Sequence, residues 1–81
     1  MPDRVVYILG YSTHDHEEEM EGLYSSASKA VDALWSHAEE VQETSPKETR
    51  VRLLSHLRTS GFASSGTESG VIYYIWRRLV Q

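Results

Sequence analysis

No cysteine occurs in this chain of 81 residues. That single absence removes a disulfide, a thiolate-ligated zinc and a cysteine nucleophile at once. Hydrophobic packing must then stabilise a chain short enough to bury only roughly 60% of the surface its unfolded form exposes. Positive charge is also scarce. Eight Lys and Arg face twelve Asp and Glu, for a net charge of −4. General affinity for nucleic acid or anionic membrane depends on clustered cations, so this balance argues against both. No apolar run is long enough to span a bilayer. The N-terminal apolar stretch covers about six residues, below the roughly 7–15 of a signal-peptide core. The expectation is a soluble, intracellular, cytoplasmic protein that does not engage membranes. There is no Gly-x-Ser-x-Gly elbow. The segment Gly61–Gly70, GFASSGTESG, lacks the Gly-Lys-Ser/Thr ending of a phosphate-binding loop, and no helical pattern follows it. Its serines and threonine, Ser64, Ser65, Thr67 and Ser69, remain conceivable phosphate acceptors.

What is present is enough for a folded domain: 40% hydrophobic and 10% aromatic residues exceed the composition of disordered chains. The length implies one domain over 1–81. Val5-Val6-Tyr7-Ile8-Leu9 is β-branched, aromatic and stopped by Gly10, a strand signal. Both of its alternating faces are apolar, which places it in the middle of a sheet. Met20 to Tyr24 gives a second, weaker strand whose glutamates suit a sheet edge. Ser25-Ser26 offers an N-cap. Ala27, Ala30, Val31, Leu34, Ala38 and Val41 follow at helical spacing, with Trp35 at the stripe's margin. Ser45-Pro46-Lys47-Glu48 reads as a capping box with proline at the first helical position. It predicts a second helix ending near Ser60-Gly61, with Val51, Leu54 and Leu57 inward. Ser60 to Gly70 reads as a small-residue loop, anchored to the core by Phe62. Val71 to Trp76 is a third strand, extending toward Val80.

A right-handed crossover places the third strand beside the first. The expected fold is α+β: a three-stranded antiparallel sheet of order 2-1-3, both helices on one face, in chain order β-β-α-α-β.

Four pieces, VYIL at 6–9, GLYSSASKAVDAL at 22–34, GF at 61–62 and YYIWRR at 73–78, resemble a family of short α+β domains of unknown function. That family shows a Val-Tyr-apolar strand, a polar loop, Gly-apolar-Tyr-Ser-Ser before an alanine-rich helix, and a final aromatic strand. The stretch from Ser36 to Thr59 is longer than the family outline. The resemblance implies the fold and carries no catalytic residue.

Two candidate sites follow from the pattern. Two of the four histidines and five of the twelve acidic residues lie within residues 10–26. His14, His16 and Glu18 alternate, so on an extended strand they would share one side as metal ligands, completed by His37, His56 or a further carboxylate. The crowded carboxylates from Asp15 to Glu21 favour a solvated hairpin turn, so no metal site and no cofactor is assigned. The third strand has Val71, Tyr73 and Ile75 on one face and Ile72, Tyr74 and Trp76 on the other. Only one face can meet helices, and exposed aromatic patches mark interaction surfaces. Tyr7, Tyr11, Ile72, Tyr74, Trp76, Arg77 and Arg78 are therefore the expected interface of a non-enzymatic interaction domain. Its partner is a protein or a second copy, as a homodimer. Two alternatives use the same residues or the histidines: single-stranded nucleic acid stacked on the aromatics beside Arg77 and Arg78, and metal held by His14 and His16.

Overall fold

A computed structural model describes residues 4–13 and 19–80 of the chain. Six elements follow in order: β1 (Arg4–Ser12), β2 (Glu19–Tyr24), α1 (Ala27–Glu40), α2 (Arg50–Ser60), β3 (Phe62–Ser65) and β4 (Ile72–Val80). The fold is α+β, with two helices and an antiparallel sheet. The sheet has four strands in the order β2-β1-β4-β3, not three. β1 and the C-terminal strand form its centre, as their apolar composition requires.

The two-layer arrangement follows from the periodicities. α1 begins where the Ser26 hydroxyl accepts the Lys29 N–H at 3.2 Å, satisfying one of the first turn's orphan donors. Its apolar stripe buries Ala30, Val31, Leu34 and Ala38. Opposite them, Leu9, Tyr73, Ile75 and Ala63 come from three strands, and Leu53 and Leu57 from α2 complete the core. All of these sheet residues share one face, so both helices cover the same side. Among the described residues, no helix is long and apolar enough to cross a membrane.

Two expectations from sequence need correction. The second helix does not start at Pro46. Thr49 is its N-cap, accepting from the Arg52 N–H at 3.2 Å. The Ser45–Glu48 stretch is drawn instead into backbone contacts with Gly66–Glu68. Lys47 N–H donates to the Gly66 carbonyl at 3.0 Å, Pro46 bridges Thr67, and Glu48 N–H donates to the Ser65 hydroxyl at 3.1 Å. Tertiary pairing has overridden a good local start signal. Val51, expected inward, is 75% exposed, while Leu53 and Leu57 point in.

The second correction concerns the expected loop at 60–70, which contains β3. Phe62 and Ser64 face one way, Ala63 and Ser65 the other, with Ala63 and Ser65 buried. Small inward residues let α2 lie close against this strand. Ser65 and Thr67 are not open phosphate acceptors: both are buried, and their hydroxyls donate to the carbonyls of Gly66 at 2.8 Å and Val71 at 2.9 Å. The C-terminus of α2 falls where expected. Gly61 takes φ 75°, a left-handed conformation that a side chain disfavours, and its N–H donates to the Leu57 carbonyl at 3.0 Å.

Candidate functional site

Residues directly opposite across antiparallel strands share a face of the sheet. β1 against β4 pairs Ile8 with Trp76, Gly10 with Tyr74, Ser12 with Ile72 and Val6 with Arg78. β3 adds Phe62 opposite Trp76 and Ser64 opposite Tyr74. β2 adds Leu23 opposite Ile8 and Met20 opposite Gly10. The register slips by one residue between Leu9 and Gly10. This bulge keeps Leu23 and Met20 on one face although they are three positions apart. The helices cover the other side, so among the described residues no element covers this face.

Its chemistry is apolar and aromatic. Met20 is 68% exposed, Leu23 61%, Ile72 42% and Phe62 40%. Tyr74 and Trp76 stack at 5.5 Å between ring centroids, 21° from parallel. Phe62 lies 6.0 Å from Trp76. The Tyr74 hydroxyl meets the Ser12 hydroxyl at 3.2 Å, which fixes the outer ring of this row. A cleft of about 210 Å³ opens between Ile8, Trp76 and Arg78. The rings thus form an ordered ridge, not isolated side chains, and an ordered ridge loses little rotamer entropy when it is covered.

Of the residues expected at the interface, Ile72, Tyr74, Trp76 and Arg78 lie on this face. Tyr7, Tyr11 and Arg77 do not. Tyr7 and Tyr11 pack against the core beneath the helices. The Tyr11 ring sits 4.7 Å from His37 and 5.8 Å from Tyr73. Arg77 lies opposite Tyr7 and reaches the end of α2, where its Nη1 donates to the Leu57 carbonyl at 3.4 Å. A cation there offsets the partial negative charge of a helix C-terminus. The cause of the misplacement is plain: β1 is apolar on both faces, so composition does not reveal which side the helices take. Val6, Ile8, Met20, Leu23 and Phe62 replace the three lost residues. For Val6 and Ile8 the signal was the opposite parity of β1; Phe62–Ser65 runs apolar, apolar, polar, polar and carries no alternation that marks a strand.

His14, His16 and Glu18, the metal alternative, lie outside the described residues. Of the two histidines expected to complete that set, His37 is buried in α1 with its Nδ1 2.7 Å from the Tyr73 hydroxyl. His56 is exposed on α2. Among the described residues, no three His, Asp or Glu side chains cluster to hold an ion. The His37–Tyr73 pair, with Tyr11 against both rings, is a buried polar contact under the centre of the sheet. It was not foreseen because its partners are 36 residues apart.

No protein-family model, curated protein or solved structure matches the chain.

Proposed function

We propose that this chain is a non-enzymatic interaction domain that self-associates through the open face of its sheet. The observation that carries the reading is the unbroken apolar ridge from Leu23 through Ile8 and Trp76 to Phe62, one residue from each of four neighbouring strands. In a domain of this size, such a patch left to water is a marker of association.

Area and charge support a second copy as the occupant. The strands total 28 residues, which at about 3.4 Å per residue and about 4.8 Å between strands gives roughly 450 Å² in projection. The accessible area of a side-chain surface exceeds its projection, so two copies approach the roughly 1,200 Å² at the lower bound of specific interfaces. Arg4 and Arg78 stand at one end of the sheet. A two-fold axis lying in the interface and crossing the strands sets the Arg4 and Arg78 end of one copy over the opposite end of the other, which keeps these like charges apart. It also aligns the strands of the two sheets, the usual packing of sheet on sheet.

Single-stranded nucleic acid would use the same rings. Because Arg77 turns to the helices, that reading retains only Arg78 and Arg4 near the face, inside a chain of net charge −4. The deciding measurement is molar mass by light scattering across a dilution series from about 1 µM to about 1 mM, the span over which weak and strong dimers separate. A dimer that Trp76→Ala dissociates without loss of the folded spectrum supports the reading. A wild-type monomer at the highest concentration sinks it.

A further inference from the structure

The sheet also has an edge, and its open part is chemically unlike its face. β3 is the outermost strand. The Arg77 N–H donates to the Gly61 carbonyl at 2.8 Å, which sets the phase of the β3–β4 ladder. In an antiparallel pair, alternate residues exchange both bonds while those between them point away. Ala63 and Ser65 therefore bond toward β4, whereas the main-chain groups of Phe62 and Ser64 point outward. The Ser60 hydroxyl takes the Phe62 carbonyl at 3.2 Å. Further along, Lys47 already bridges to Gly66. Between these two covered points the Phe62 N–H and both groups of Ser64 face a cleft of about 650 Å³.

That cleft has a charge preference. Its other wall carries Lys47, Glu48, Arg52 and His56. Arg52 and His56 are one turn apart and so lie on one side of α2. Among the described residues Glu48 is the only carboxylate lining it, and the Arg52 Nε lies 2.9 Å from its Oε2. The whole of α2 has three arginines and no acidic residue, within a chain that is acidic overall.

We propose that this cleft binds an extended acidic peptide segment of a partner protein. The peptide adds to the open part of β3 as a further strand and sets its carboxylates against Lys47, Arg52 and His56. Main-chain pairing supplies affinity in strand addition, and the alternate side chains supply selectivity. The proposal does not rest on self-association: that uses the Phe62 side chain on the face, whereas the peptide pairs with the outward main chain of Phe62 and Ser64 at the edge.

The probe is a fluorescein-labelled heptapeptide alternating threonine and glutamate. It is titrated into the full chain, followed by anisotropy, and mapped by amide chemical shifts. Saturable binding is expected, with the largest shifts at Phe62, Ser64 and the exposed side of α2. Methylating the peptide's ladder-forming amides should weaken binding by at least tenfold, as should Arg52→Glu. Arg52 is an exposed side chain whose reversal leaves the core untouched. Ser64→Pro removes one outward N–H at an edge position where proline is tolerated, and should weaken binding while the folded spectrum persists. The proposal is overturned by any of four results: no saturation up to millimolar peptide, equal binding of the lysine counterpart, shifts confined to the open face, or tighter binding of oligothymidine at the same amides.

Discussion

Gly61→Ala tests how tightly the junction between α2 and β3 is specified. The residue sits at φ 75°, where an L side chain costs roughly 1–2 kcal/mol. Alanine also restricts the unfolded chain, which returns roughly 0.4–1 kcal/mol. A Cβ built there meets the Arg77 guanidinium at 3.3 Å. That contact is tight, but its partner is the far end of a flexible, exposed side chain. The net expectation is a loss of about 1 kcal/mol. For a domain of this size, that is a fall of roughly 4–8 °C in Tm. Two comparisons isolate the cause. Gly61→Asn should lose less, because asparagine tolerates the left-handed region. Gly66→Ala meets nothing within 4 Å and lacks a positive φ, so it should be neutral or slightly stabilising. Thermal unfolding by circular dichroism at one fixed protein concentration is the assay, since self-association would make Tm concentration-dependent. If Gly61→Ala is neutral, or if Gly66→Ala loses as much, the helix end is not held in the way described.

Two further substitutions probe other parts of the fold. Tyr73→Phe withdraws the hydroxyl that meets His37 Nδ1 in the interior and should cost about 1–3 kcal/mol in urea unfolding with an unchanged m-value. A change below about 0.3 kcal/mol would mean the buried pair contributes nothing measurable. Thr49→Ala removes the N-cap of α2 and should cost roughly 1 kcal/mol, whereas Ser45→Ala, at the misleading capping box, should cost clearly less. The reverse order would restore Pro46 as the start of the helix.

The readable parts of the fold share one property: their determinants are local. The stripe from Ala27 to Ala38, the cap at Ser26 and the glycine at 61 each act within a few residues and fall where expected; Val41, expected on the same stripe, is instead the C-cap of α1 and 61% exposed. What failed depended on distant chain. Ser45–Glu48 has every local mark of a helix start, yet it pairs with Gly66–Glu68. In Phe62–Ser65 only Phe62 favours a strand, yet β4 provides a neighbour for the whole segment. The candidate site shows the same division. Alternation along β4 correctly separated Ile72, Tyr74 and Trp76 from Val71, Tyr73 and Ile75. It could not say which parity of β1 joined them, because Val6 and Ile8 are as apolar as Tyr7 and Leu9. Only the pairing of Ile8 with Trp76 decides that.

The central pairing also governs how the chain reaches its folded form. Every partnership between β1 and β4, from Arg4 with Val80 to Ser12 with Ile72, joins residues sixty or more positions apart. Closing a loop of that length is entropically unfavourable, and topologies dominated by such distant pairings fold on millisecond-to-second scales. β1 can form its hairpin with β2 early, but its other side stays vacant until both helices and β3 have been made. During that interval the most apolar strand of the protein presents an unpaired edge. This is the period in which a newly made chain is most exposed to intermolecular pairing and most in need of a chaperone.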